Sequence, residues 1–269
     1  MKTLSNVTVG IPFYSGSNPE HLKQAIDSIV NQSVPAEVIH LIQNGPIDPD
    51  LQALVDSFLN ENENMILLTI PEANLPAALN ESIRTCTTKF YARMDADDIS
   101  DTYRLQMQLD YFHEHPEVMI LGGYAIEFKS GEEPKKGHLK KMPTSYAEMK
   151  RWFHYRNPFV HASVMFNTEV FLSLIGYDET FVTDQDLELW ARVFKQKIKI
   201  ANIKHPIVYF RTDNMIKNRS KPGAVLRQAK ARYSYNTLNP ILNIFKAGAL
   251  LFRLSPAPVK HFGYRKLRK

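Results

Sequence analysis

Short apolar runs of strand type alternate with amphipathic runs of helix type along most of this chain, and this alternation limits the folds open to it. Residues 7–12 alternate apolar residues with threonine and glycine, which predicts a strand that ends at Pro12. Asn18 and Pro19 follow as an N-cap and a first helical residue. Strands joined by helices at such short spacings predict an α/β fold with a mostly parallel sheet flanked by helices.

The later parts of the chain continue the pattern. Strands are predicted at residues 38–42, 65–70, 89–94, 118–128, 163–166 and 198–203, and helices near residues 49–58, 77–84, 103 and 186–194. Residues 130–141 are polar and basic, which predicts an exposed loop. Ligands in such sheets lie beyond the carboxyl ends of the strands, so polar side chains at those ends are candidate site residues.

Length and composition favour one globular domain with a modest appendage. The chain has 269 residues, of which 44% are apolar, enough for a substantial core. Cys86 is the only cysteine, so no intrachain disulfide can form and a reducing compartment is expected. The N-terminal residues contain no apolar leader segment, and we therefore expect a cytoplasmic protein.

The charge is distributed unevenly along the chain. The formal net charge is +5, yet 13 lysines and arginines and no acidic residue follow Asp213, so residues 1–213 carry −8. This asymmetry predicts an acidic main domain at 1–213 and a basic helical tail at 214–269. A basic tail of this kind favours a polyanionic partner, either nucleic acid or an anionic membrane surface.

The tail also contains an apolar stretch, residues 241–254, interrupted by Lys246 and Arg253. It is too short and too charged to span a bilayer, which needs about 20 mainly apolar residues. We expect an interfacial helix that lies on anionic lipid, while a helix packed on the catalytic domain stays the alternative. The basic residues expected on the lipid are Lys260, Arg265, Lys266, Arg268 and Lys269.

Three carboxylates follow the strand predicted at residues 89–94. Asp95, Asp97 and Asp98 repel one another unless a cation or hydrogen-bond donors share their charge. A hard divalent ion, held by one or two carboxylates together with substrate phosphates, is the usual solution. The alternative is an acidic helix N-terminus, because Asp101 precedes a helical run and acids favour that end. The position at a strand end favours the metal and diphosphate.

Several motifs together resemble the family-two glycosyltransferases, in particular the bacterial branch that builds O-antigen, capsule and other exopolysaccharides. The matching segments are residues 7–14 (VTVGIPFY), 27–32 (DSIVNQ), 77–80 (AALN), 92–98 (ARMDADD), 156–161 (RNPFVH) and 186–192 (DLELWAR). They span residues 7 to about 213 in the family's order. The resemblance implies a GT-A fold with a Rossmann-like sheet, and an inverting, metal-dependent transferase.

The resemblance also implies a donor site at the strand ends. Pro12 and Tyr14 would line the pocket for the base and ribose of a nucleotide sugar, with UDP the favoured nucleotide. Asp95 would contact the ribose or diphosphate, and Asp97 would hold Mg²⁺ or Mn²⁺ on the two phosphates. Arg93 would add positive charge beside the nucleotide.

On the acceptor side, the resemblance places Asp186 at the family's catalytic base, while a helix N-cap is the structural alternative. Arg156 and His161 are candidates for binding the acceptor, although a single histidine is more often structural. Relatives of this kind extend saccharides carried on polyprenyl diphosphate at the cytoplasmic face of the membrane. The same acceptor, and a peripheral location at the inner membrane face, are therefore expected.

Two residues depart from the family pattern. Asn44 stands where the family usually has Asp, yet its amide both donates and accepts, as recognition of uracil requires. Asp213 stands where relatives often have His, and it is a candidate to complete the metal shell; an ordinary loop carboxylate is the equal alternative.

Two other classes of protein remain open from the sequence. A sugar-phosphate nucleotidyltransferase also combines an α/β sheet with carboxylates and Mg²⁺, but residues 13–17 contain one glycine and no basic residue, unlike a phosphate-binding loop. A nucleic-acid-binding protein would use the basic tail. The acidic body and the lack of a recognised binding motif argue against a nucleic-acid partner.

Overall fold

The computed structural model describes residues 5–174, 176–213 and 222–255. The strands in this part of the chain are β1 (Val7–Phe13), β2 (Val38–Asn44), β3 (Met65–Ile70), β4 (Phe90–Arg93), β5 (Ile99–Ser100), β6 (Ile120–Phe128), β7 (His138–Lys140), β8 (Met165–Asn167) and β9 (Ile200–Arg211). The α-helices are α1 (Pro19–Val30), α2 (Pro49–Glu61), α3 (Leu75–Arg84), α4 (Arg104–Glu114), α5 (Tyr146–Trp152), α6 (Thr168–Ser173), α7 (Gln185–Lys195), α8 (Pro222–Tyr233) and α9 (Pro240–Leu254).

These strands form one sheet in the order β3-β2-β1-β4-β8-β6-β9-β5, with β7 paired to β6. The first half is parallel, since β1 pairs with β2 and β4, and β2 pairs with β3. β8 then joins β4 to β6 through antiparallel pairs, and β6 runs parallel to β9. The predicted α/β class is confirmed, and antiparallel pairing enters only after β4.

Helices cover both faces of the sheet. One core cluster joins the sheet to α1, α2 and α4 through residues such as Leu22, Leu51 and Leu105. A second cluster joins the opposite face to α3 and α7 through residues such as Leu79 and Trp190. Each of these five helices buries an apolar stripe against the sheet, which is the usual way an amphipathic helix is stabilised.

Local signals account for the helix starts that were predicted. The side chain of Asn18 accepts a hydrogen bond from the amide of His21 at 3.1 Å, and Pro19 is the first helical residue of α1. The short helices α5 and α6 were not predicted, because each has fewer than eight residues and shows no clear period. The loop predicted at residues 130–141 is wrong in part, since His138–Lys140 pair with β6 as a polar edge strand.

Two helices of the tail are described. α8 contributes Ala231 to the core cluster around α7, and α9 lies against α8. The division of the chain at residue 213 stays a prediction. Lys260, Arg265, Lys266, Arg268 and Lys269 lie outside the described residues. None of the helices in the described part of the chain is long and apolar enough to cross a membrane.

Candidate functional site

The ends of three neighbouring strands carry the predicted donor-site residues. β1 lies between β2 and β4 and runs parallel to both, so the carboxyl ends of the three strands lie side by side. Tyr14 directly follows β1, Asn44 ends β2 and Arg93 ends β4. Pro12 is buried within β1, whereas the side chain of Tyr14 is 53% exposed just beyond it. An exposed aromatic ring at such an edge can stack on a nucleotide base.

The three carboxylates that follow β4 lie together. Asp95, Asp97 and Asp98 each offer an oxygen within 4.8 Å of the others. Asp98 is buried, and one of its oxygens accepts a hydrogen bond from the backbone amide of Arg211 at 2.8 Å. Burial and the charge of Asp95 raise the pKa of Asp97 to about 6, and the same two causes raise the pKa of Asp98.

Arg93 supplies the nearest positive charge. Its side chain is 4% exposed at the end of β4, and one terminal nitrogen, Nη2, donates to Asp95. Its Nε and Nη1 atoms have no hydrogen-bond partner among the described residues. Buried donors without a partner are costly, so they indicate a ligand that accepts from them. The carboxylates and Arg93 therefore fit a divalent cation together with a diphosphate.

A second buried arginine contacts the backbone at the end of β4. Arg104, fully buried at the start of α4, donates from Nη2 to the backbone carbonyl of Arg93 at 2.8 Å and from Nε to Gln108 at 3.0 Å. Burial and the neighbouring charge of Arg93 lower the pKa of Arg104 to about 9. Arg104 was not predicted as a site residue, because its only local signal is an arginine in the first turn of a predicted helix.

Asp186 lies in the first turn of α7, and both of its oxygens are held. Oδ1 accepts from the backbone amide of Leu187 at 2.9 Å, and Oδ2 accepts from the side-chain amide of Asn157. Asn157 lies in a segment that matches the family, but no role was predicted for it from the sequence. The signal that was available is its position inside the RNPFVH segment.

The two predicted acceptor residues occupy different surroundings. His161 shares a hydrogen bond of 2.8 Å between its Nε2 and the hydroxyl of Tyr177, and burial and Arg93 lower the pKa of its imidazole. The guanidinium of Arg156 lies over the ring of Trp152, 5.1 Å from its centroid. The roles of Arg156 and His161 in binding the acceptor both stay predictions.

Asn44 and Asp213 both engage the protein itself. The side-chain oxygen of Asn44 accepts from the backbone amide of Asn74 at 2.7 Å, which ties the end of β2 to the start of α3. The carboxylate of Asp213 accepts from the hydroxyl of Ser130 at 2.6 Å. Asp213 is not among the three clustered carboxylates, and its role as a metal ligand stays a prediction.

The loop before α7 is locked onto α3. The side-chain oxygen of Asn80 accepts from the amide of Tyr177 at 2.7 Å, and its nitrogen donates to the carbonyl of Tyr177 at 2.9 Å. Gly176 has a φ of 69°, and a Cβ added there would lie 2.5 Å from the oxygen of Asn80. Only glycine fits this turn, which carries the chain toward Asp186.

The comparisons with known proteins agree with this geometry. The sequence profile described as "Glycosyl transferase family 2" matches residues 8–174. The chain belongs to this family. It is 29% identical over 268 residues to the amylovoran biosynthesis glycosyltransferase AmsE of Erwinia amylovora, which covers 97% of this chain and 99% of that protein. It is 26% identical to the UDP-Gal:alpha-D-GlcNAc-diphosphoundecaprenol beta-1,3-galactosyltransferase of Escherichia coli, over 97% of this chain and 95% of the relative.

Solved structures of other transferases have the same fold. TarS 1-349 of S. aureus in complex with UDP-GlcNAc superposes with a TM-score of 0.65 at 14% identity, over 93% of this chain and 73% of that one. The mannosyltransferase PcManGT of Pyrobaculum calidifontis, in complex with GDP-Man and Mn²⁺, superposes with a TM-score of 0.63 at 14% identity, over 97% and 79% of the two chains. The predicted GT-A fold is confirmed. Because the chain belongs to this family, it is a glycosyltransferase rather than a nucleotidyltransferase or a nucleic-acid-binding protein.

We predict that Gly176→Ala destabilises the fold by about 3 kcal/mol, because the new methyl group adds a clash with Asn80 to the cost of a positive φ. Gly131→Ala is the matched control, since Gly131 has a φ of 85° with nothing within 4 Å of the added Cβ. It should cost only about 1 kcal/mol. Chemical denaturation measures both, and equal losses would contradict the close packing of Gly176 on Asn80.

Proposed function

We propose that this glycosyltransferase is metal-dependent and inverting, and that it uses Mn²⁺ or Mg²⁺. It transfers a hexose or N-acetylhexosamine from a UDP-sugar to a hydroxyl of a saccharide carried on polyprenyl diphosphate, in the synthesis of a bacterial surface polysaccharide. One observation carries the proposal. The carboxylates of Asp95, Asp97 and Asp98 lie together beside Arg93, whose buried Nε and Nη1 atoms have no hydrogen-bond partner in the described part of the chain.

The donor is proposed from the site and from the relatives together. Two nitrogens of Arg93 that have no partner among the described residues, beside three carboxylates, suit a metal–diphosphate group. Asp97, with Asp95 and Asp98 beside it, would hold the ion, and the bound ion would neutralise charge on the departing diphosphate. UDP is preferred because a related enzyme is named for UDP-Gal and a structural neighbour binds UDP-GlcNAc.

Asp186 is proposed as the general base. It accepts the proton of the acceptor hydroxyl while that oxygen attacks the anomeric carbon and the bond from this carbon to the diphosphate breaks. Attack from the face opposite the leaving group inverts the configuration in a single step. Asn157 fixes one oxygen of Asp186, so the carboxylate is oriented before the acceptor binds.

The acceptor is proposed on two grounds. The relative from Escherichia coli is named for a sugar on diphosphoundecaprenol, and its similarity extends over 97% of this chain. Arg156 precedes Asn157 directly and offers a cation to the acceptor side. His161, whose Nε2 shares a hydrogen bond with the hydroxyl of Tyr177, is proposed to bind the acceptor together with Arg156.

We also propose that the enzyme works at an anionic membrane surface, on the inner face of the cell membrane. A helix packed on a domain usually buries its apolar side, but α9 does the opposite. Its Lys246 is buried, while Ile244, Phe245 and Leu251 are 54–69% exposed. An apolar face followed by a basic tail suits the headgroup region of anionic lipid. These exposed fractions do not support the alternative, in which α9 packs its apolar face against the catalytic domain.

Asp97→Ala is expected to abolish metal-dependent binding of UDP, because the lost carboxylate leaves the ion and diphosphate poorly held. Calorimetry of UDP with Mn²⁺ measures this, and chelation of the metal should reproduce the loss in the unaltered protein. Asp50→Ala, in the exposed first turn of α2, is the matched control and should bind normally. Unchanged affinity in Asp97→Ala would contradict the metal role.

Asp186→Asn is expected to keep donor binding and to lower turnover by roughly 10²- to 10⁴-fold, the range for loss of a positioned general base. The shape of the side chain is retained and its proton acceptor is lost. Transfer assays with calorimetry of UDP separate the two effects. NMR of the first-formed product should give the inverted anomer, and retention would refute the single-step mechanism.

The double variant Ile244→Ser, Leu251→Ser is expected to stop sedimentation with vesicles that contain phosphatidylglycerol at physiological salt. It should also depress transfer to a lipid-linked acceptor far more than transfer to a short soluble analogue. The double variant Ile66→Ser, Leu139→Ser removes two comparably placed exposed apolar side chains from β3 and β7 and serves as the control. Equal sedimentation of both variants would refute the membrane surface on α9.

A further inference from the structure

Asp184 begins α7 in an unusual backbone conformation. Its φ and ψ are 60° and 21°, in the left-handed region, although it carries a side chain. Aspartate adopts this conformation more readily than most residues, but the conformation still costs free energy, which contacts with neighbouring residues must offset. Asp184 occupies the N-cap position, yet its side chain makes no capping hydrogen bond to α7. Helix capping therefore does not account for this conformation.

The side chain of Asp184 is turned toward the two C-terminal helices instead. Gln228 of α8, which is 1% exposed, donates from Nε2 to Oδ1 of Asp184 at 3.2 Å. Arg253 of α9 places its Nη1 atom 3.8 Å from the same oxygen. One carboxylate oxygen is thus held by two helices that lie 44 and 69 residues further along the chain.

The same helices hold the segment that leads to Asn157. Arg232 of α8 is 2% exposed, and its Nη1 atom donates to the backbone carbonyl of Phe153 and, at 3.5 Å, to that of Arg156. Asn157 follows directly and donates to Asp186. α8 therefore contacts both the start of α7 and the segment before Asn157, and α9 contacts the start of α7 through Arg253.

Lys246 joins α9 to α8 and makes the two helices one unit. Its ammonium is fully buried and donates to the carbonyls of Arg232 at 2.9 Å and Tyr235 at 3.0 Å, and to the side chain of Asn236 at 3.2 Å. These acceptors lie at the C-terminal end of α8, where a cation is favoured. Burial lowers the pKa of Lys246 to about 8, and the three hydrogen bonds offset the cost of burying its charge.

We propose that Asp184, Gln228 and Arg253 are positioning residues for sugar transfer. The α8–α9 pair holds Asp184 in its left-handed conformation and thereby sets the direction in which Asp186, two residues later, presents its carboxylate to the acceptor. This inference rests on the proposed role of Asp186 as the base. It makes residues 222–254 part of the catalytic unit rather than an appendage.

The test compares Gln228→Leu and Asp184→Gly with Asp184→Asn in the full chain. Leucine removes the bond to Asp184 at similar volume, and glycine keeps the backbone conformation but loses the side chain. Asparagine tolerates the left-handed region and still accepts from Gln228. We expect Gln228→Leu and Asp184→Gly to lower kcat about 10- to 100-fold with unchanged Kd for UDP, and Asp184→Asn to retain most activity.

Hydrogen exchange of the peptide at 181–195 gives a readout that needs no activity. It should become faster in Gln228→Leu and Asp184→Gly and stay unchanged in Asp184→Asn. Gln106→Leu, which removes a Gln–Asp bond from the exposed face of α4, is the matched control and should leave both readouts unchanged.

Parental kcat and parental exchange in Gln228→Leu and Asp184→Gly would overturn the inference, and so would a loss of UDP binding equal to the loss of kcat. A loss in Asp184→Asn as large as that in Asp186→Asn would also overturn it, because Asp184 would then act as a base itself. Absence of transfer by the unaltered protein with every UDP-sugar would instead refute the proposed function, and the exchange measurement would still stand.

Discussion

The site depends on the balance of charge at the end of β4. Asp95, Asp97 and Asp98 repel one another, and the raised pKa values of Asp97 and Asp98 record the cost of holding them in a partly buried turn. Arg93 offsets part of this repulsion through Asp95, while the backbone amide of Arg211 donates to one oxygen of Asp98. The remaining negative charge and the unpaired nitrogens of Arg93 are complementary to a cation with a diphosphate.

Buried cations recur where the structure must fix a backbone segment. Arg104 holds the carbonyl of Arg93, Arg232 holds those of Phe153 and Arg156, and Lys246 holds the end of α8. Each carries several donors into a region of low dielectric, where a satisfied hydrogen bond is strong and an unsatisfied one is costly. Two of the backbone segments held in this way lead directly to Asp95 and to Asn157.

Much of the fold followed from local pattern. The strand at residues 65–70 was predicted with its observed bounds, and the helix starts at Pro19 and Pro49 were marked by their prolines and the polar residues before them. The short helices α5 and α6 and the strand β7 were missed, because three to seven residues do not establish a period. Asp95 and Asp97 were predicted as a pair for the same local reason, since their spacing alone brings them together.

The sequence by itself determined the α/β class, the carboxylate cluster, the family and the position of Asp186, because these depend on residues close together in the chain. Tertiary structure alone decided what orients Asp186. The contacts of Asn157 with Asp186 and of Gln228 with Asp184 join residues 29 and 44 positions apart. Tertiary packing likewise decided that Lys246 is buried and that the apolar side of α9 is exposed. Sequence periodicity identifies the apolar face of a helix, but the neighbouring elements determine which face is buried.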